Sequence, residues 1–443
     1  LGNARSGSFS AMRLSPARPG SVFVTLLAIL LGGAAPLEGD ATAWQATRPG
    51  ISALSDSAVV SVLTVLPGDR LYSLFGHTII RVRDPATGLD VGFNYGTFDF
   101  PTTIAGGAGF VARFAYGKLD YKLQASGNPS YAVEWYAEQE GRSTIEQTLD
   151  LSPGETEALL AFLVENARPE NAVYRYDFFF DNCSTRPRDV LERVLGTALA
   201  AEVADPGTSL RRLLDPYLVA NPGVDFSMDI GLGMPADRLA TSREALFLPV
   251  ELMKWLGAAR VADARGRLRP LVSRTDTLTR VEGSGEKVHA VPWPFLATAT
   301  LGAALVFLTV VDRRSGRSER RWLDGFLFSA AGVAGLVLGF LVFVSLHSVT
   351  RPNLNLIWAL PTHIFAGGIL LAGRKPGWLR PYMLVALGLA AIFLVGLPFW
   401  TQEIPAAVIP IVVAIAARSA LLAFPPDSSD DSSSDQSADA SSR

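Results

Sequence analysis

The sequence predicts a two-part chain: an α+β exported domain followed by an α-helical membrane bundle of about five transmembrane helices. Three observations predict it. Hydrophobic residues make up 49% of the 443 while charged ones fall to 18%, a low charge fraction for a soluble globular chain. Those apolar residues are unevenly placed: residues 57–290 read as an ordinary globular domain, whereas 291–424 is a series of long apolar runs broken by short polar loops. Within 57–290, valine-rich strand signals come first and helix signals come after them.

At the N-terminus, Arg5, Arg13 and Arg18 precede the apolar stretch Val22 to Leu31, and small residues continue through Gly32, Ala34 and Ala35. Basic, then apolar, then small is the order of a secretory signal peptide or an uncleaved signal anchor over residues 1–40. Either one exports the domain C-terminal to it. Residues 41–56 read as a polar linker.

In the exported domain, Ala58 to Leu66, His77 to Val82 and Val91 to Tyr95 are strand-like, and the turn residues Asp84-Pro85-Ala86-Thr87-Gly88 join the last two as a hairpin. Pro153 to Asn166 reads as a helix, with Ser152 as its cap and Glu155 at capping-box spacing. A second helix is expected to open at Cys183 and run through Val190, Leu191 and Val194 to Gly196. Hairpin, helix, cysteine helix is an α+β order.

The spans are expected at roughly 294–311, 325–346, 356–372, 382–398 and 406–424, each near the ~20 residues that cross ~30 Å of hydrocarbon. The loop after the first is dense in arginine (Arg313, Arg314, Arg317, Arg320, Arg321), and the loop after the third holds Arg374, Lys375 and Arg380. The alternate loops, 347–355 and 399–405, hold only Arg351. Cationic loops stay cytoplasmic, so 57–290 lies outside, as the export signal independently requires. Arg418 falls near the inner end of the last span and is expected to snorkel to the cytoplasm, while His363 is expected near the outer part of its own span. The Ser/Asp-rich tail 425–443 should be disordered and cytoplasmic.

Net charge is −3, so nothing points to nucleic acid. The four histidines, His77, His289, His347 and His363, show no metal-ligand spacing with the single cysteine, so neither a metal nor another cofactor is expected.

Chemistry concentrates at Cys183. An aromatic run ends at Asp181-Asn182, both good N-cap residues, and the thiol comes next at the expected helix start with Arg186 and Arg188 nearby. A helix N-terminus and neighbouring cations favour the thiolate, the form that attacks carbonyls. A buried structural cysteine is the plain alternative. A thiol enzyme also needs a base, and His77, at a strand start behind Gly76, is better placed than His289 in its polar segment before the first span. Asn94 or Asp99 could orient the imidazole, and each could equally be an ordinary strand-end residue.

A histidine on an early strand and a cysteine opening a later helix resemble the circularly permuted, papain-like hydrolases of the NlpC type. More specifically, the stretches Leu74-Phe75-Gly76-His77, Asn94-Tyr95-Gly96-Thr97-Phe98-Asp99 and Asp181-Asn182-Cys183-Ser184-Thr185-Arg186 resemble the Lnb-type lipoprotein N-acyltransferase family. So do Asp237-Arg238 with Phe247-Leu248-Pro249, and the loop around His347 with Asn353-Leu354-Asn355-Leu356-Ile357-Trp358. The resemblance implies a permuted papain-like fold for 57–290, with Cys183 as nucleophile and His77 as base; the third member stays open between Asn94 and Asp99. It implies acyl transfer from a phospholipid, through a Cys183 thioester, to the N-terminal amine of a lipoprotein at the inner membrane. Main-chain N–H groups at the helix start could then hold the oxyanion.

Asn182 and Arg186 beside the thiol, and His347, Arg351, Asn353 and Asn355 in an outer loop, are the expected substrate-binding residues. Arg351 suits a phosphate, although interfacial residues of this kind can also merely cap span ends. Two competing functions are a cell-wall amidase or endopeptidase, which needs at most one anchor, and a membrane protein that binds lipid or lipoprotein without catalysis.

Overall fold

The computed structural model describes residues 54–97, 104–200, 205–263, 265–286 and 288–426. The expected signal segment, most of the linker, Asp99 and nearly all of the C-terminal tail lie outside them. The strands are β1 (Val59–Val65), β2 (His77–Asp84), β3 (Leu89–Thr97), β4 (Asp120–Ser126), β5 (Thr144–Leu149), β6 (Val173–Arg175), β7 (Leu199–Ala200), β8 (Arg260–Ala262), β9 (Leu268–Pro270) and β10 (Val272–Thr279). Seven of them form one sheet in the order β10-β5-β1-β2-β3-β4-β6, every neighbouring pair antiparallel; β7, β8 and β9 form a small second sheet.

The helices longer than two turns outside the membrane part are α1 (Ile104–Tyr116), α2 (Pro129–Glu140), α3 (Pro153–Asn166), α4 (Thr185–Leu195), α5 (Pro222–Gly231) and α6 (Pro249–Ala258). Period-2 alternation divides the sheet between two cores. Val60, Val62, Ile80, Val82 and Phe93 face Leu159 and Leu163 of α3, Val190 and Leu191 of α4, and Leu252 and Leu256 of α6. Leu63, Val65 and Ile79 point the other way, onto Ala132, Val133 and Tyr136 of α2. Each fully buried aliphatic side chain there stabilises by about 1.5–3 kcal/mol. The expected hairpin is β2–β3, and α3 starts on the expected capping box: the Ser152 side chain accepts from the Glu155 N–H while Glu155 accepts from the Ser152 N–H.

Five helices come next: α7 (Trp293–Arg314), α8 (Arg321–Phe343), α9 (His363–Leu371), α10 (Leu379–Gly396) and α11 (Val408–Ala423). Among the described residues α7, α8 and α10 are long and apolar enough to cross a membrane, and α11 is a shorter apolar helix. The third expected run, 356–372, differs from the expectation. It forms one continuous helix only from His363, and nine residues reach about 13 Å. Pro361 has no N–H to give, and the Asn353 and Asn355 side chains bind local donors instead, the Asn355 N–H at 3.0 Å and the Trp358 indole N–H at 3.0 Å. The non-helical stretch is packed inside protein. A Cβ on Gly335 would collide with the Ala359 carbonyl oxygen, and one on Gly332 with the Ile364 nitrogen. Only glycine lets the two backbones approach so closely, and irregular backbone at membrane depth persists only where protein surrounds it.

Arg418 also departs from the expectation. Rather than snorkelling it is 0% exposed, its guanidinium held by Asp324 at 2.5 and 2.8 Å and by Asp312 at 2.9 Å. Arg320 closes the cluster on Asp312 at 2.8 Å. The two carboxylates come from α7 and α8, so the ion cluster ties three helices together where α7 turns into α8.

The exported and membrane parts meet along the outer loop 344–353. The last turn of α1 leaves carbonyls without helical partners. Phe114 O accepts from His347 Nε2 at 2.8 Å, Ala115 O from Ser345 Oγ at 2.7 Å, and Tyr116 O from Leu346 N–H at 2.9 Å. Further on, Val349 O and Pro352 O accept from Gly233 and Met234 N–H.

Candidate active site

His77 opens β2 opposite Val65, the last residue of β1, at one end of the large sheet. The β2–β3 register pairs Ile80 with Phe93, which sets Asn94 on the same face as His77 and Gly96 beside it. His77 Nε2 donates to Asn94 Oδ1 at 2.7 Å, both residues being buried. That bond fixes the tautomer and leaves Nδ1 as the basic nitrogen. Of the two residues open for this part, Asn94 makes the contact, and Asp99 lies outside the described residues.

Cys183 approaches the same strand end from the segment before α4. A Cβ on Gly96 would lie 3.3 Å from Cys183 Cβ and 3.5 Å from His77 Cε1, so thiol and imidazole flank one glycine. Gly96 has φ +104°, a conformation that also favours glycine. Thr78, the residue after the histidine, adds two links: its main-chain N–H bonds the sulfur, and its hydroxyl lies 3.1 Å from that of Ser184. Elements more than 100 residues apart thus converge on the sulfur.

The electrostatics differ from the sequence expectation. Helix α4 begins at Thr185, two residues past the thiol. Its free N–H groups are already capped, Ser184 N–H at 2.8 Å and Thr185 N–H at 3.0 Å from Asn182 Oδ1. Arg186 is tied to Asp181 and stacks 4.1 Å from the Tyr174 ring centre, and Arg188 pairs with Asp189 at 2.7 Å. Neither cation is spent on the sulfur. Burial therefore dominates and pushes the Cys183 thiol up to about 11, against the smaller opposing effects of the Thr78 N–H, the Ser184 hydroxyl and its own N–H. Burial likewise lowers the His77 imidazole to about 4, with the Asn94 hydrogen bond resisting and the Arg142 charge adding to the fall. At neutral pH the resting pair is a neutral thiol beside a neutral imidazole.

Arg142 was not marked by its residue type or spacing. It is buried, paired with buried Glu140 at 2.7 Å, donates to Leu66 O at 2.7 Å, and sits 5.2 Å from the Tyr136 ring centre; that ring lies 6.3 Å from the His77 ring. The available signal was an arginine just ahead of a buried strand, with a glutamate two positions before it.

Most of the expected substrate-binding residues turn out to hold protein instead. The Asn182 side chain donates to Phe178 O and Phe247 O at 2.8 and 2.9 Å besides capping α4, so its hydrogen-bonding capacity is used. His347 binds α1. Asn353 donates to Ile230 O at 2.8 Å, and Asn355 to the same carbonyl at 3.3 Å. These four side chains, and that of Arg186, are engaged with other parts of the protein. Arg351 alone of the set is exposed, on the loop that joins the two parts. His363, buried, takes Tyr382 Oη at 2.7 Å on Nδ1 and Trp358 O at 3.2 Å on Nε2, so neither ring nitrogen is left for a ligand.

No group of three or more His, Cys, Asp or Glu able to hold a metal ion occurs among the described residues. The geometry is that of a Cys–His–Asn constellation, histidine and asparagine buried and the thiol half-buried, fit for covalent acyl chemistry. The family model of the Lnb N-terminal periplasmic domain matches residues 51–216, and that of the Lnb transmembrane domain matches 286–425. Together they cover well over half of the chain. Neither a curated protein nor a solved structure gives a significant match.

Proposed function

Because the chain belongs to the Lnb family, carrying its periplasmic and its transmembrane domain in that order, we propose that it is a membrane-bound cysteine acyltransferase of lipoprotein maturation. The observation that carries the proposal is the meeting of Cys183, His77 and Asn94 at Gly96, in a domain seated on the outer ends of membrane helices. In this reading the protein is multi-pass in the inner membrane, with residues 57–290 as the catalytic domain and 291–424 as its seat. The donor is a phospholipid, the acceptor a diacylated lipoprotein.

The chemistry runs in two balanced halves. His77 Nδ1 takes the thiol proton as the sulfur attacks the ester carbonyl of the phospholipid. The tetrahedral intermediate collapses to the Cys183 thioester, and the departing lysophospholipid alkoxide takes the proton from the imidazolium. The lipoprotein's α-amino group then attacks the thioester. Its proton passes through His77 to the leaving sulfur, which restores the neutral pair. Concerted proton transfer matters here, because a thiol near 11 is ionised only to about one part in ten thousand at pH 7. Asn94 holds the imidazole in the tautomer that both halves need. Arg351, exposed on the joining loop, is the residue for the donor's phosphate.

A cell-wall amidase would have no use for this seat, since its substrate lies away from the bilayer. The test is mass spectrometry of a lipoprotein N-terminus in cells lacking other N-acyltransferases. The triacyl form should require Cys183 and disappear with Cys183→Ala; its persistence would refute the proposal.

A further inference from the structure

A cavity of about 560 Å³ lies between the exported part and the outer ends of α10 and α11. None of its lining residues belongs to the Cys183 centre. Its walls are divided by chemistry. Ser209 and Arg212 line it from the exported side, whereas Leu397, Ile404 and Ile409 line it from the membrane helices and their connection. Glu403 stands between the two, and Arg212 Nε donates to its carboxylate at 2.9 Å.

Leu397 lies just past the end of α10 and Ile409 in the first turn of α11, so the cavity sits at the ends of these apolar helices. In the membrane reading proposed above, that is the level where outer-leaflet headgroups meet acyl chains. Trp400 lines the cavity and exposed Phe399 adjoins it, as expected of an interfacial belt. Leu239, 69% exposed, adds an apolar rim from the exported side.

Three charged side chains line the cavity; Asp237 is already paired with buried Arg211 at 2.6 Å, which leaves Arg212 and Glu403 to meet a ligand. Their side chains are 61% and 46% exposed, so water screens the pair and its mutual attraction is small. A ligand carrying a phosphate and an ammonium a few bonds apart can replace that contact with two. The phosphate goes to Arg212, whose planar fork suits it, and the ammonium goes to Glu403. We infer that this cavity is a headgroup site for an outer-leaflet phospholipid of the aminophosphate class, with phosphatidylethanolamine as its ligand. The glycerol and upper acyl carbons rest on Leu397, Ile404 and Ile409. This site is separate from the thiol and stands whether or not Cys183 transfers acyl chains.

The test reads lipid retention rather than activity. Full-length protein carrying Cys183→Ala, so that no turnover removes lipid, is reconstituted with equal phosphatidylethanolamine and phosphatidylglycerol. It is then returned to mild detergent, and the retained lipids are counted by native mass spectrometry. The Cys183→Ala protein should retain phosphatidylethanolamine in excess. Glu403→Gln should lower the ratio of the two lipids roughly three- to fivefold, the scale of one partly exposed ion pair, while Arg212→Gln should lower retention of both. Both side chains are exposed, so the substitutions should leave folding intact, which a thermal unfolding curve checks. Equal retention of the two lipids, a ratio indifferent to Glu403→Gln, or retention indifferent to Arg212→Gln would each overturn the inference.

Discussion

The neutral Cys183–His77 pair makes a sharp prediction about thiol reactivity. With the thiol near 11, the thiolate fraction in the absence of substrate should rise about tenfold for every pH unit between 7 and 10. Alkylation by iodoacetamide tracks that fraction, so its rate should climb by about three decades across the interval. The imidazole, near 4, is already neutral throughout and contributes no inflection there. His77→Gln should therefore leave the slope in place, although it should abolish acyl transfer. The assay is the pseudo-first-order loss of free Cys183 in the full chain, followed by intact mass from pH 5 to 10. A rate that is flat from pH 5 to 8, and becomes steep only in His77→Gln, would reveal a standing thiolate–imidazolium pair and refute the reasoning. Removing either group from water disfavours its charged form, which raises the thiol and lowers the imidazole.

Asn94→Ala strips the buried His77 Nε2–H of its acceptor, a loss of about 1–3 kcal/mol that should slow thioester formation roughly five- to 100-fold without abolishing folding. An unchanged acylation rate would remove Asn94 from the site. Gly96→Ala places a methyl 3.3 Å from Cys183 Cβ at a φ of +104°, and at about 1–3 kcal/mol of strain it should separate thiol from base and cut acyl loading at least tenfold. Full loading in that variant would show that the close approach is not needed. Arg418→Met leaves Asp324 buried without its guanidinium partner and Asp312 with Arg320 alone, at a cost of about 3–5 kcal/mol. The detergent-solubilised protein should melt several degrees lower, and an unchanged melting curve would mean that the cluster carries no stability.

Local and periodic features were legible in the sequence. The Ser152–Glu155 capping box, the hairpin turn and the first, second and fourth long apolar runs are read from local sequence, and the fold carries them as expected. Cys183 and His77 stood out by residue type, and Asn94 by lying on the paired strand. What stayed hidden depends on partners distant in the chain. Arg418 looked free to snorkel because Asp312 and Asp324, which hold it inside, are 106 and 94 residues away. The polar loop residues looked ready for substrate because a sequence does not show that Asn353 answers Ile230 or that His347 answers Phe114. The cysteine helix starts two residues later than its pattern suggests, since Asn182 caps Ser184 and Thr185 rather than presenting the thiol at the first turn.

The most direct test of the central claim is the intact mass of the full-length protein after incubation with a phospholipid of defined acyl chains and no lipoprotein. An acyl adduct on Cys183 should accumulate, disappear with neutral hydroxylamine, require His77, and transfer to a diacylated lipopeptide with a free N-terminal amine. A protein that makes triacyl lipopeptide without ever carrying acyl on Cys183 would contradict the account.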